Sequence, residues 1–109
     1  MQVRRHTRVY LDFMRYAYDN HGVTEFVPCE ICGKMAVDIH HIINRGMGGT
    51  KNVERDHISN LMALCRKDHH DYGDYPQYVE KLKEIHQLIV SNRLKEIKGM
   101  TEHYLRRKR

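Results

Sequence analysis

The chain has 109 residues, room for one domain with a modest core. Hydrophobic residues make up 40% and charged residues 30%, which excludes a disordered chain, and the longest apolar run, the five residues 61–65, excludes a membrane-spanning helix. Net charge is +5, from 19 Lys and Arg against 14 Asp and Glu, which favours a polyanionic partner because a Lys or Arg on a phosphate releases a counterion.

The start, Met1-Gln2-Val3-Arg4-Arg5-His6, lacks the apolar stretch of a secretory signal, so a cytoplasmic protein with no membrane partner is expected. Three Cys is an odd number, and without secretion a disulfide framework is not expected. Nine His beside three Cys point to metal instead.

Residues 5–20 predict a helix. Val9, Phe13, Tyr16 and Ala17 recur at helical spacing, and Gly22 suits its end. Such a helix packs on the centre of the chain. Residues 23–27 and 35–43 read as strands, residues 44–51 with three Gly as a loop, residues 61–65 as a short buried strand, and residues 66–72 as a short helix. A long helix is predicted over 76–98, with Asp74 as N-cap, Pro76 in the first turn and Gly99 as the stop. Its stripe of Tyr78, Leu82, Ile85 and Ile89, extended by Leu94 and Ile97, is mainly a core face but also offers a surface for a homodimer. The expected whole is one domain over 1–109, with core 23–73 and helical flanks 5–20 and 76–98. The basic tail 106–109 suits phosphate or solvent equally.

Cys29-Glu30-Ile31-Cys32 is a CxxC followed by Gly33, and Cys65 and His69 form a C-x3-H. Two short ligand pairs set apart by a longer segment are what a tetrahedral structural zinc site requires, and a chain this small gains from such a staple. Buried free cysteines with a surface His are the plainer alternative. A redox CxxC would need a strand-to-helix junction and leaves Cys65 idle.

Asp38-Ile39-His40-His41 reads as strand with two adjacent His. Neighbours on a strand point to opposite faces, so placing one His at a metal and the next at a water requires a twisted strand end. On a helix, Cys65 and His69 share a face, while His70 lies about 100° around from His69. His70 is therefore free for a second metal centre.

The ordered set Cys29-x-x-Cys32, His40-His41, Asn60, Cys65 and His69-His70 resembles the HNH endonuclease family, over about residues 29–72. The resemblance implies an α+β fold: a small ββα-metal core with a structural zinc knuckle, flanked by the two helices. It implies a DNA endonuclease that nicks or cleaves, leaving 5′-phosphate and 3′-hydroxyl ends. His41 matches the general base, His40 and His70 the ligands of a catalytic divalent ion such as Mg²⁺ or Mn²⁺, and Asn60 the residue that orients the base and its loop. Cys29, Cys32, Cys65 and His69 would hold Zn²⁺. Many zinc-stapled members place the last zinc ligand three residues after Cys, where this chain has Asp68. A one-residue shift puts His69 on zinc, since a Cys-rich site prefers imidazole to carboxylate; the rival register puts Asp68 on zinc and makes His69 catalytic. Residues 42–49 also look like the loop of phage and bacterial members, which implies a bacterial host cytoplasm if the chain is phage-encoded. Arg45, Lys51, Arg55, Arg66 and Lys67 surround the site in sequence and suit phosphate contacts. Asp38 suits a carboxylate partner for a His or a solvated position. His57 reads as a loop residue and His86 as packing or surface. The alternative function is a non-catalytic zinc-knuckle module that binds nucleic acid, which has no need of His40, His41, Asn60 and His70 together.

Overall fold

A computed structural model describes residues 1–43 and 55–107, with side chains described to residue 99. The expected loop at 44–51, with Arg45 and Lys51, lies outside the described residues.

Helix α1 (Arg5–Met14) buries Thr7, Tyr10, Leu11 and Met14 on one face. It ends at Arg15, whose φ of 62° is left-handed and halts the helix well before residue 20. The chain then forms a hairpin, β1 (Tyr18–Asp19) against β2 (Gly22–Val23). Gly22, with φ of 138°, serves this turn and not a helix end. The strand expected over 23–27 shrinks to β2, and that over 35–43 shrinks to β3 (Asp38–His41), preceded by a single bridge between Pro28 and Met35.

Strand β3 pairs antiparallel with β4 (Leu61–Leu64), and His40 faces Met62 and His41 faces Leu61 across the ladder. A 3₁₀ turn, Ile58–Asn60, leads into β4. After β4 come α2 (Arg66–Asp68) and a wider π-helical stretch, His69–Gly73. A 3₁₀ turn, Pro76–Tyr78, opens helix α3 (Val79–Arg107), which runs straight through Gly99. Asp74 does not cap it: Tyr75 precedes the turn and makes no side-chain cap bond.

Strand β4 is buried along its whole length and separates two apolar clusters. Leu61 and Ala63 join Tyr10, Leu11, Met14, Val27 and Ile39, while Met62 and Leu64 join Cys29, Ile42, Cys65 and Leu82. This is the alternation of a strand covered on both faces. Leu82, Ile85 and Ile89 of α3 pack into these clusters, so the expected homodimer through that stripe finds no support.

A polar network runs between the clusters. Glu30, buried inside the CxxC knuckle, accepts at Oε2 from Tyr10 Oη at 2.7 Å and from the Ala63 N–H at 3.2 Å. Its Oε1 accepts from His86 Nδ1 at 2.7 Å, and His86 Nε2 donates to the Ile58 carbonyl at 2.6 Å. His86 is thus a bolt between α3, the knuckle and the turn before β4, not a surface residue. One carboxylate ties the knuckle to α1, β4 and α3.

Candidate active site

The knuckle brings Cys29, Cys32 and Cys65 together, and the fourth member is Asp68, not the expected His69. Asp68 Oδ2 lies 3.2 Å from Cys29 Sγ and 3.3 Å from Cys65 Sγ, and Cys32 Sγ lies 3.7 Å from Cys65 Sγ. The reason is local. Cys65 caps α2, its sulfur receiving the Asp68 N–H, which turns residue 68 back onto the knuckle and carries residue 69 away from it. Bond lengths of about 2.3 Å to sulfur and 2.0 Å to oxygen give tetrahedral edges of roughly 3.5–3.8 Å, so the donor set fits Zn²⁺. Asp68's hydrogen bond pushes the Cys32 thiol up to about 12, and burial raises Cys29. Burial would raise Asp68, but hydrogen bonds from Cys32, Cys29 and Cys65 hold it below its ordinary value. A metal takes the place of those shared protons.

The second cluster is His40, His69 and Asp74. The rings of His40 and His69 lie 4.7 Å apart, and Asp74 Oδ1 is 3.8 Å from His69 Nε2. Asp38 Oδ2 lies 3.5 Å from His69 Nδ1, the carboxylate partner considered for it. His40 is buried, and its Nε2 has no hydrogen-bond partner. An orphaned buried imidazole nitrogen facing a second imidazole and a carboxylate fits a divalent ion. Burial, and then the charge of His69, hold the His40 imidazole below its ordinary pKa. Gly73 makes the approach possible: a Cβ there would lie 2.6 Å from His69 Cδ2 and 3.4 Å from His40. His70 does not join this cluster. It is 83% exposed and lies 3.2 Å from Asp71.

His41 faces another way. Its Nε2 donates to Asp56 Oδ1 at 2.8 Å, and the His6 ring covers it with centroids 4.5 Å apart. Asp56 is buried and also lies 3.6 Å from Arg55 Nε and 3.9 Å from Arg5 Nε. Burial would raise the Asp56 carboxyl, but the hydrogen bond and charge of His41, with Arg55, hold it below its ordinary value. Asn60 spends its whole side chain on backbone. Its Oδ1 accepts from the Ile43 N–H at 2.7 Å, and its Nδ2 donates to the carbonyls of Ile43 at 3.0 Å and Arg55 at 2.8 Å. It clasps residue 43 to residue 55 and so holds Asp56 opposite His41.

Both sets open into one cleft of about 560 Å³, whose wall includes Asp38, His40, His41, Asp56, His69 and Asp74. Arg4, Arg5, His6, Ile39 and Arg55 complete it. Of the expected phosphate contacts, Arg66 and Lys67 are exposed outside this cleft, and Lys67 pairs with Asp71 at 3.0 Å. His57 caps the turn before β4, accepting from the Ser59 N–H. Sequence reasoning missed Asp56, Asp74 and the start of α1. Asp74 carried a signal, an acidic residue five positions after His69, but its place before Pro76 suggested a cap.

Residues 29–74 match the family model described as HNH endonuclease. Uncharacterized protein YdfU of Escherichia coli (strain K12) is 41% identical over 44 residues, which are 40% of this chain and 12% of that protein, so the chain corresponds to a small part of that relative. No solved structure matches. No described helix is long and apolar enough to cross a membrane. The match covers the knuckle, the β3–β4 pair, α2 and the histidine cluster, so over residues 29–74 the chain is similar to the HNH endonuclease family.

Proposed function

We propose that the chain is a metal-dependent endonuclease that hydrolyses phosphodiester bonds in DNA, by nicking or cleavage. One observation carries the reading: a metal-type cluster of His40, His69 and Asp74 shares an open cleft with a separate imidazole, His41, held by the Asp56 carboxylate.

His40, His69 and Asp74 would hold a divalent ion, which when bound would supply Lewis-acid stabilisation of the charge on the phosphate and the departing 3′ oxygen. His41 is the general base. With its Nε2–H given to Asp56, the neutral ring keeps its lone pair on Nδ1, the atom that takes the proton from the attacking water. Asp56 fixes that tautomer and steadies the imidazolium that forms. Asp38 lies beside Nδ1 of His69 and favours the tautomer whose Nε2 is free to ligate. Asn60 is a positioning residue, acting through the backbone that carries His41 and Asp56. Cys29, Cys32, Cys65 and Asp68 hold a structural Zn²⁺. His69 belongs to the catalytic cluster, and His70 to neither.

The test is nicking of a supercoiled plasmid with added Mn²⁺ or Mg²⁺, wild type beside His41→Ala. General-base removal should cost about 10²–10⁴ in rate. A wild type that binds DNA but cuts none with any divalent ion would leave a binding module in place of an enzyme.

A further inference from the structure

The cleft has a wall that the family match does not reach. Residues 29–74 carry the match, whereas Arg4, Arg5 and His6 come from the start of α1. They line the same cleft as His41 and the histidine cluster.

Their placement has no sufficient structural reason. Arg5 is 70% exposed, and its carboxylate neighbour, Asp56, sits at 3.9 Å and already takes His41 at 2.8 Å. An ion pair so exposed and so long contributes little. Arg4 donates to the Gln2 side chain at 3.3 Å, and no carboxylate among the described residues lies within ion-pair reach of it. Two arginines also open the helix at the end where its dipole favours acidic residues, and its first turn holds none. Arg55 adds a third guanidinium to the cleft, its Nε buried with no hydrogen-bond partner. Such a set suits a polyanion that brings its own charge and oxygen acceptors.

We propose that the start of α1 is a phosphate-binding wall: Arg4 and Arg5 each grip a non-scissile phosphate of the DNA strand whose scissile phosphate lies at His41 and the His40–His69–Asp74 cluster. The inference rests on the endonuclease reading. It adds that strand placement in this chain is set by residues outside the HNH segment. Arg4 and Arg5 are binding residues that do no chemistry. His6, covering the ring of His41, spaces that wall from the base.

The test uses the full chain in a His41→Ala background, which prevents cleavage during binding. A fluorescein-labelled DNA duplex is titrated at several salt concentrations with no added divalent ion, and anisotropy gives the association constant. Each phosphate contact contributes about 0.9 to the slope of log K against log salt. Arg4→Gln should lower the slope by about 1 and weaken binding several-fold at low salt, and Arg4→Gln with Arg5→Gln should lower it by about 2. Arg4→Lys should restore most of the slope, and Lys95→Gln with Lys98→Gln on α3 should leave it unchanged. Arg4 makes no contact with Asp56, so its variant reports binding without disturbing the base. Wild-type affinity and slope in the double variant, beside a parent that binds, would overturn the phosphate wall and leave the endonuclease reading standing. A parent that binds no duplex, joined to a wild type that cuts none, would overturn both.

Discussion

Asp56 lies 2.8 Å from Nε2 of His41, and Asn60 steadies that contact by bonding the backbone of both residue 43 and residue 55. This contact fixes which ring nitrogen is free. Asp56→Asn keeps the shape of the side chain but lets an amide N–H face the ring, which favours the wrong tautomer. Nicking under single-turnover conditions should fall by about 10²-fold or more, with DNA affinity little changed. Asn60→Ala should lower activity through the same backbone and also destabilise the fold by about 1–3 kcal/mol, since it strands buried polar groups. Thermal melting separates the two variants.

Asp68 and His69 should separate cleanly in zinc content. Asp68→Ala should drop the content of purified protein well below one equivalent and lower its melting temperature, while His69→Ala should keep the zinc and lose nicking activity. Elemental analysis beside a nicking assay decides it. Zinc lost from His69→Ala and kept in Asp68→Ala would restore the shifted register expected from the sequence.

Gly73 is held to glycine by its neighbours. A methyl group there meets His69 at 2.6 Å and His40 at 3.4 Å, so one ring must move. Gly73→Ala should weaken the catalytic ion by about 10–100-fold, the range for disturbed support of metal ligands. Circular dichroism should stay native. The measurement is nicking rate against metal concentration.

The donor set also sets the metal preference. Two imidazoles and one carboxylate are softer than the all-oxygen shell that Mg²⁺ prefers. Mn²⁺, Co²⁺ or Ni²⁺ should reach half-maximal nicking at lower concentration than Mg²⁺. The reverse order would argue that one of the two imidazoles does not ligate.

His86 makes stability depend on pH. Burial would lower its pKa, but the hydrogen bond and charge of Glu30, with the Ile58 carbonyl, outweigh that and raise it above the ordinary 6.5. The imidazolium's contribution is complete below pH 6.5 or so and is lost as pH rises through the raised folded value. The melting temperature should therefore fall as pH rises above about 6.5, and His86→Gln should flatten that decline. His86→Ala leaves Glu30 buried without its cation and should cost about 3–5 kcal/mol.

Much of this was legible in the residues. The CxxC, the His pair and the buried run at 61–64 are local patterns, and the knuckle, β3 and β4 follow them. The long final helix follows from periodicity, and the α+β architecture is what the family resemblance implies. What was not legible depends on one turn of helix register or on distant parts of the chain meeting. The cap that Cys65 makes on Asp68 shifts every later side chain by one place in the site, and spacing alone does not reveal it. Arg15 takes a left-handed φ that no general propensity assigns to arginine. Asp56 gains its role only because Asn60 binds both ends of the 43–55 segment. His86 read as packing or surface, and its partner Glu30, 56 residues away, decides for packing.

Glu30 sits between two cysteines of the knuckle and bonds, through its own carboxylate, to α1, β4 and α3. The knuckle and the docking of both helices therefore share one carboxylate. A chain whose cysteines cannot gather also misplaces α1, and with it the covering of His41 by His6. On the proposed endonuclease reading, the knuckle and the cover over the base are thus built together, and a chain with ungathered cysteines would lose both.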